Sequence, residues 1–282
     1  MSSHTPQDTP PQVTVIRPHT GWRTIDVREL ASHWDLLRFL TLRSVKIRYA
    51  QSALGMGWAV IQPVAQMVVF TVIFGSLVGV GSDGSAYPVF AFVALVPWTY
   101  FASAVTQSTN SLPKNAAMLS KIYLPRMILP ISEVCARLVD FAIGFVLLIG
   151  MLFIYGVQPT AGVIVVPLLI LIMVIAALGI GLWLTALAIQ FRDINYATEF
   201  FVQLLMYAAP VVYPASLVPE RFQLLYALNP MVGVIEGFRA AFLGSRAMPW
   251  DLIGVGAAVA VFLLVSGAFF FRRREPLFAD VA

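Results

Sequence analysis

Long stretches without any charged residue alternate with short polar segments along this 282-residue chain. A helix needs roughly 20 mostly apolar residues to cross a bilayer, and several of the uncharged stretches reach that length. The longest stretch, residues 141–191, has room for two helices, with a turn predicted at 155–160. The pattern therefore predicts an all-α membrane protein with six transmembrane helices. We place them at about residues 58–80, 87–108, 134–155, 163–190, 197–215 and 251–271.

The composition supports this interpretation, because 59% of the residues are hydrophobic and only 11% are charged. A soluble domain carries about 25% charged residues, so a soluble enzyme is excluded. The net charge of +4 then reports topology rather than nucleic-acid binding, since Lys and Arg concentrate on the cytoplasmic side of membrane proteins. Seven of them precede the first predicted helix, and Arg272, Arg273 and Arg274 follow the last one. We therefore expect both termini in the cytoplasm and no nucleic-acid partner.

The predicted helices divide the chain into four parts. Residues 1–20 contain four prolines and few apolar residues, and we expect them to be a disordered tail. Residues 21–57 form a cytoplasmic segment, residues 58–271 the transmembrane domain, and residues 272–282 a cytoplasmic tail. Each candidate site below therefore has a predicted side of the membrane.

The cytoplasmic segment contains a stretch, residues 30–57, in which apolar and basic side chains interleave. A helix of this composition can lie in the membrane interface, with its basic groups on lipid phosphates and its side-chain stems along the lipid tails. The basic residues do not gather on one face, so a basic flank that only orients the first transmembrane helix is a second interpretation. The residues of this predicted interface helix that we single out are Trp34, Arg38, Arg43, Lys46 and Arg48.

The predicted cytoplasmic loop at residues 112–130 is short, basic and interrupted by prolines. Its middle has room for one or two helical turns, which end before Pro125. A rigid helix there could dock into a cytoplasmic partner, whereas a tight loop that follows the positive-inside rule is the alternative. The candidate residues of this docking loop are Asn115, Leu119, Lys121, Tyr123, Pro125 and Arg126.

Three ionisable residues enter the third predicted helix from its cytoplasmic end. Glu133, Arg137 and Asp140 are spaced i, i+4 and i+7, so they share one helical face and opposite charges can pair along it. Ionisable residues inside a membrane are functional candidates. Since no other predicted helix carries an acid near its middle, the pattern favours a structural ion cluster over a proton relay.

The last predicted external loop, residues 214–250, is long and yet apolar. Asn229-Pro230 is a turn and helix-start signal, and two short helices broken there could dip into the membrane and return. Re-entrant backbone requires shielding by protein or by a water-filled cavity, which suggests the outer mouth of a pathway. Glu236 and Arg239 could pair within one chain or across a dimer. The candidate residues are Asn229, Pro230, Glu236, Phe238 and Arg239.

The sequence lacks motifs for catalysis. The single cysteine and the three histidines match no metal site, and every histidine lies within the first 33 residues. The sequence contains no GxxxxGK[ST], HExxH or GxSxG motif. It therefore has no recognisable site for nucleotide phosphates and no recognisable set of catalytic acids, bases or nucleophiles. We therefore expect no catalytic residue, cofactor or metal on this chain. A proton-coupled carrier or a membrane glycosyltransferase would need acids that the predicted helices do not supply.

Several short motifs, in this order, resemble the ABC-2-type permeases that export polysaccharides such as O-antigens, capsules and teichoic acids. The resemblance covers the chain after about residue 20. The motifs are Arg48-Tyr49, Leu54-Gly55-Met56-Gly57-Trp58, Gln62-Pro63, Tyr123-Leu124-Pro125-Arg126, Arg192-Asp193-Ile194, Pro210, Tyr213-Pro214, Asn229-Pro230-Met231 and Ile235-Glu236-Gly237-Phe238-Arg239. Each motif is short, but their order and spacing together are specific.

This resemblance implies partners and a substrate. Two copies would form a transmembrane channel, and two copies of a separate ATPase subunit would bind beneath it and hold ATP and Mg²⁺. Residues 115–126 would be the coupling helix that seats in the ATPase, residues 30–53 the interface helix, and residues 217–245 an external gate of two re-entrant helices. The substrate would be a polysaccharide on an undecaprenyl diphosphate or phospholipid carrier, exported across the inner membrane of a bacterium. An exporter of drugs or lipids in the same superfamily is the alternative.

Seven aromatic residues could line such a channel, because sugar rings offer apolar C–H faces that stack on aromatic side chains. A sliding polymer needs many modest contacts rather than one tight site. The interfacial aromatic belt and packing between helices are the competing explanation. The candidates are Tyr87, Trp98, Tyr100, Phe101, Trp183, Tyr207 and Tyr213.

Overall fold

The structure, a computed structural model, describes residues 31–50, 55–119, 121, 124–191 and 193–275. Within these residues the chain is helical and contains no β-strand, as the hydrophobic pattern predicts. The predicted disordered tail, Tyr123 of the docking loop and residues 276–282 of the predicted cytoplasmic tail lie outside them.

The helices of the described residues follow one another with short connections. In chain order they are α1 (Trp34–Tyr49), α2 (Trp58–Phe70), α3 (Tyr87–Thr109), α4 (Ser111–Lys114), α5 (Ala116–Leu119), α6 (Ile128–Ile154), α7 (Val166–Ala188), α8 (Ile194–Tyr207), α9 (Glu220–Tyr226), α10 (Pro230–Phe242) and α11 (Trp250–Arg274). Short 3-10 turns precede α2, α7 and α9, at Gly55–Gly57, Ala161–Val165 and Ala215–Leu217, and a π-helical turn, Thr71–Leu77, continues α2.

Five helices of the described chain are long and apolar enough to cross a membrane. Their spans, which include the short turns that extend them, are Gly55–Leu77, Tyr87–Thr109, Ile128–Ile154, Ala161–Ala188 and Trp250–Arg274. Five of the six predicted helices are therefore confirmed, close to their predicted bounds. The third begins at Ile128 rather than at 134, because Pro130 fits the first turn of a helix, where a backbone N–H has no intrahelical partner.

The fifth predicted helix, residues 197–215, has different bounds in the structure. α8 ends at Tyr207 and has 14 residues, which gives a length of about 21 Å, short of a hydrocarbon core of about 30 Å. Residues 208–214 instead form turns and bends. The prolines at 210 and 214 cannot donate a backbone hydrogen bond, and they disfavour helix in the residue before them. The predicted end of this helix at residue 215 is therefore wrong.

Glycines let α7 and α11 approach each other until their backbones touch. A Cβ atom on Gly179 of α7 would lie 2.6 Å from the backbone nitrogen of Leu264, and one on Gly267 of α11 would lie 2.6 Å from the Gly179 carbonyl oxygen. α10 approaches α11 in the same way, since a Cβ on Gly233 would lie 2.6 Å from the Leu252 carbonyl oxygen. Small residues favour helix association in membranes because they permit close contact. α11 thus holds α7 and α10 together.

α3 lies at the centre of the helix bundle, and α2 lies at its edge. Most side chains of α3 are buried, and Phe92, Tyr100 and Phe101 belong to the main apolar core, which α6, α7 and α10 complete. α2 and its π-helical turn bury few side chains. The large apolar residues exposed there are Trp58, Ile61, Val68, Val69, Val72, Ile73 and Leu77. The chain therefore presents an apolar surface along α2, which suits contact with lipid or with a second protein.

Adding a methyl group at Gly179 tests the contact between α7 and α11. Gly179→Ala forces the two helices apart, and overpacking of this kind costs about 1–3 kcal/mol. We expect the melting temperature of the purified protein in detergent to fall by several degrees. Gly150→Ala is the matched control, because a Cβ on Gly150 of α6 would meet no atom within 4 Å. Equal melting temperatures for the two variants would contradict the close packing.

Candidate gate and coupling sites

Arg239 lies at the centre of a polar cluster on α10, a helix in which every residue is buried. The residue is 2% exposed. Its Nη1 donates to Glu236 Oε1 at 2.7 Å and to the Tyr213 carbonyl at 3.2 Å, and its Nη2 donates to the Val211 carbonyl at 3.0 Å. The guanidinium carbon lies 3.6 Å from the centroid of the Phe90 ring. The pair of Glu236 and Arg239 therefore forms within one chain.

This cluster satisfies backbone groups of the irregular segment that follows α8. Three consecutive carbonyls, those of residues 211–213, accept hydrogen bonds from side chains. Arg239 donates to the outer two, and the Tyr87 hydroxyl donates to the middle one at 2.8 Å. Glu236 Oε1 accepts the backbone N–H of Ala215 at 3.3 Å. The sequence did not predict these hydrogen bonds, because they join side chains to backbone groups that are distant in the chain.

Groups outside α10 bind both of its ends. At the start, the Asn229 side chain accepts a backbone N–H of the first turn at 3.1 Å and donates to the Ala208 carbonyl at 3.2 Å. Pro230 occupies the first helical position. At the end, the Thr160 hydroxyl donates to the carbonyl oxygens of residues 240–241, at 3.1 Å and 3.0 Å. The helix start predicted from Asn229-Pro230 is confirmed, whereas the gating role of α10 stays a prediction.

Four of the seven candidate channel aromatics are buried inside the helix bundle. Tyr87, Trp98, Tyr100 and Phe101 lie on α3, and all of them are buried. The gate candidate Phe238 is also completely buried and belongs to the same core as three of them. The burial of these aromatic rings agrees with packing between helices, which was the alternative to a channel lining. Within this chain the four side chains are part of the packed apolar interior.

The other three candidates lie nearer to the surface. Trp183 stacks on Phe270 of α11, with ring centroids 4.1 Å apart, and donates to the Ser266 hydroxyl at 3.1 Å, so it joins α7 to α11. Tyr207, at the end of α8, is 54% exposed. The Tyr213 hydroxyl donates to the Tyr207 carbonyl at 2.8 Å. A channel role for these two tyrosines stays a prediction.

The ion cluster predicted for the third transmembrane helix is present on α6. Arg137 lies between the carboxylates of Glu133 and Asp140, at 3.5 Å and 3.4 Å. α1 adds partners that the sequence did not predict, because Arg48 pairs with Asp140 at 3.1 Å and the Ser44 hydroxyl donates to Glu133 at 2.8 Å. Charged groups therefore tie α1 to α6. The described residues contain no group of three His, Cys, Asp or Glu side chains suited to a metal ion.

Tyr49, the last residue of α1, adds a neutral donor to this cluster. Its hydroxyl donates to a carboxylate oxygen of Asp140. Burial, together with this bond to a carboxylate, raises the pKa of Tyr49 to about 12. The hydroxyl therefore keeps its proton at neutral pH and remains a donor. Arg48 and Tyr49, one of the motifs that carry the family resemblance, thus both bind Asp140 through their side chains.

The interface helix and the docking loop contact each other. Arg43 of α1 donates from Nη1 to Asn115 Oδ1 at 3.3 Å, at the junction of α4 and α5. Leu40 of α1 is buried in an apolar cluster against which Leu119 packs. The helical turns predicted for the loop are present, and Pro125 lies buried after them. A displacement of the loop would therefore act directly on α1.

The outward sides of these two elements combine apolar and basic side chains. On α1, Trp34 is 65% exposed, and Arg38 and Lys46 are exposed as well. On the loop, Lys121 is exposed. Arg126 instead donates to the backbone carbonyl just after α11 at 2.8 Å. Of these two basic residues of the loop, Lys121 is therefore better placed to meet a partner.

A cavity of about 1030 Å³ opens between α9, α10 and the start of α11. Its wall includes Glu236 and Arg239, the carboxylates of Glu220 and Asp251, and the indole of Trp250. Ligand sites usually measure about 300–1,000 Å³, so this cavity is at the upper end of that range. Carboxylates beside an aromatic ring suit hydroxyl-rich molecules.

Neutralising Arg239 tests the polar cluster on α10. Arg239→Gln leaves Glu236 buried without its partner, and breaking a buried pair in this way costs about 3–5 kcal/mol. We therefore expect a loss of folded protein, measured as the monodisperse fraction in size-exclusion chromatography. Arg246→Gln is the control, because Arg246 lines the same cavity but is exposed, and it should keep the wild-type yield. A wild-type yield for Arg239→Gln would contradict the role of the cluster.

The sequence matches known membrane permeases. Residues 35–243 match the ABC-2 type transporter family. The chain is 31% identical to the O-antigen export system permease protein RfbA of Myxococcus xanthus, over 90% of the chain and 98% of that relative. It is 23% identical to the polysialic acid transport protein KpsM of Escherichia coli, over 84% and 92% of the two chains. It is 28% identical to the inner membrane transport permease YadH of Escherichia coli, over 72% and 82%.

These matches confirm the resemblance that the short motifs indicated. The family match extends from α1 through α10, so it includes the interface helix, the docking loop and the polar cluster around Arg239. Five apolar helices of membrane-spanning length agree with a permease. The chain belongs to the ABC-2 type transporter family.

Proposed function

We propose that this chain is the membrane subunit of an ATP-driven exporter that moves a lipid-linked polysaccharide, similar to an O-antigen, across the inner membrane of a bacterium. The similarity, over most of both chains, to a permease named for O-antigen export and to one named for polysialic acid transport carries the proposal. The chain itself is not an enzyme. ATP and Mg²⁺ bind to a separate ATPase subunit, in keeping with the lack of a phosphate-binding motif in this sequence.

In this proposal both termini lie in the cytoplasm. The distribution of Lys and Arg supports this orientation, because most of them occur before α2, between α3 and α6, and at the end of α11. α8 makes a sixth crossing together with the irregular segment after it. α9 and α10 form a re-entrant pair that enters the membrane from outside. The side-chain partners of the carbonyls at 211–213 support a position of this segment at membrane depth.

Two copies of the chain form the channel. α2 and α8 leave apolar and aromatic side chains exposed, among them Phe200, Leu204 and Tyr207 on α8. A second copy covers part of this surface, so Tyr207 and Tyr213 lie near the boundary between the two copies. There they offer aromatic faces to a sliding sugar chain. The buried aromatic side chains of α3 pack behind the helices that line the channel and keep those helices in place.

α9 and α10 act as the external gate. The cavity beside Glu236 and Arg239 provides space on the outer side of the gate. Hydrogen bonds from Arg239 fix α10 to the segment after α8. The gate therefore opens with α10 and this segment moving as one unit, since separating them would leave a buried charge without its partners.

The energy of ATP reaches the channel through α4 and α5, on which the ATPase seats. From there the hydrogen bond between Asn115 and Arg43 leads to α1. The contacts of Ser44 and Arg48 lead from α1 to α6. α1 lies in the membrane interface, with its basic groups toward lipid phosphates. Polar contacts at the cytoplasmic face thus pass the movement of the ATPase to a transmembrane helix.

Export of a drug or a lipid is a second candidate, favoured by the similarity to YadH, whose name specifies transport but no polysaccharide.

Deletion of the gene that encodes this chain distinguishes polysaccharide export from export of a drug or a lipid. We expect the deletion strain to lose surface polysaccharide and to accumulate lipid-linked polymer inside the cell, and a plasmid copy to restore export. Surface polysaccharide at the wild-type level would contradict polysaccharide export and leave the second candidate.

Reversing the charge of Lys121 tests the docking loop. Lys121 is exposed, so Lys121→Glu should change stability by less than about 0.5 kcal/mol. We expect the amount of ATPase subunit that copurifies with the tagged chain to fall several-fold, at an unchanged yield of the chain. Arg221→Glu makes the same charge change at an exposed position of α9 and should leave copurification unchanged. Equal copurification with both variants would contradict docking at this loop.

A further inference from the structure

A second cavity lies between α1, α3, α4 and α6, at the end of the bundle that carries the docking loop. Its volume is about 530 Å³, within the usual range for ligand sites. The charged residues of its wall are Arg43, Arg48, Lys114, Arg137 and Glu133. Four cationic groups therefore face one carboxylate within a space large enough for a small anion.

The ion pairs of the α6 cluster do not neutralise this wall. The carboxylates of Glu133 and Asp140 are bonded to Arg48 and Arg137. In the part of the chain that the structure describes, the other two cations, those at positions 43 and 114, form no ion pair. Their hydrogen-bond partners are neutral side chains. Two positive charges thus remain uncompensated in the cavity.

Arg137 adds a donor without a partner. The residue is 5% exposed, and its Nε forms no hydrogen bond with any described residue. Its terminal nitrogens lie 3.5 Å and 3.4 Å from Glu133 and Asp140, farther than the about 2.7–2.9 Å of strong charge-assisted bonds. Buried donors in native proteins are nearly always paired, so an unpaired one at the wall of a cavity points to a ligand.

We propose that this cavity binds the diphosphate group of a lipid carrier before the polysaccharide enters the channel. The diphosphate of a lipid carrier has at least two negative charges, which suit the two uncompensated cations, and arginine side chains suit phosphate oxygens. Ile47 lines the cavity and is 61% exposed, so it offers an apolar side chain to a polyprenyl tail beside the site. The inference rests on the proposed function, because it names the group by which a lipid-linked polymer is recognised.

Binding of undecaprenyl diphosphate to the purified full-length chain, in nanodiscs of phosphatidylcholine, tests this site. We expect binding that weakens with added salt, because it depends on charge. Undecaprenol, which has the tail but no phosphate, should not bind comparably. Phosphatidylglycerol and inorganic pyrophosphate separate the possible sources of phosphate. An equal affinity for any of these three probes would overturn the assignment to a lipid diphosphate.

Variants that remove one positive charge each test whether undecaprenyl diphosphate binds in this cavity. Arg43→Gln and Lys114→Gln should each weaken binding about tenfold, the size expected for one charge-assisted hydrogen bond. Lys114 is exposed, so its variant keeps the fold even if Arg43→Gln lowers stability. Arg273→Gln is the matched control, because Arg273 is exposed at the end of α11 and outside the cavity. Wild-type affinity in Lys114→Gln, or an equal loss in all three variants, would overturn the proposal.

The binding measurement and the deletion experiment distinguish a failure of the diphosphate site from a failure of the proposed function. If deletion leaves surface polysaccharide intact, the proposed function fails, whatever the isolated chain binds. If deletion abolishes export but Lys114→Gln binds undecaprenyl diphosphate as the wild type does, the proposed function stands and only this site fails.

Discussion

Backbone polar groups that are buried away from water need hydrogen-bond partners within the protein, and the region around α10 depends on this constraint. The chain between α8 and α9 contains prolines at 210 and 214, so it cannot satisfy its backbone as a helix. Arg239 and Tyr87 therefore supply donors to its carbonyls. Glu236 balances the charge that Arg239 brings into the core. Glu236 and Arg239 are thus buried in an apolar protein because the backbone of the segment after α8 needs their side chains as hydrogen-bond partners.

This arrangement requires that α10 be held closely by its neighbours. Gly233 lets it touch α11, while Asn229 and Thr160 bind its two ends. α11 in turn touches α7 through Gly179 and Gly267. A buried charge that depends on several partners tolerates little relative displacement, so these contacts hold α10 and the segment it binds as one unit. At the opposite end, the ion cluster ties α1 to α6 in a comparable way.

Local patterns were sufficient to predict five transmembrane helices, the start of α10 at Asn229 and the pairing of charges along α6. They did not predict that Arg239 and Tyr87 bind the segment after α8, or that α1 joins the ion cluster. Periodicity shows which residues share a face of one helix, but not which element that face meets. The predicted length of α8 was wrong because a count of uncharged residues ignores the prolines that follow Tyr207.

Export driven by ATP is most directly measured as transfer of a lipid-linked polysaccharide into inverted membrane vesicles that contain this chain and its ATPase subunit. We predict that the polymer becomes protected from an added glycosidase when ATP is present, and that it stays accessible when ATP is withheld. Polymer that remains accessible in the presence of ATP, or that is protected equally without it, would contradict export by this chain.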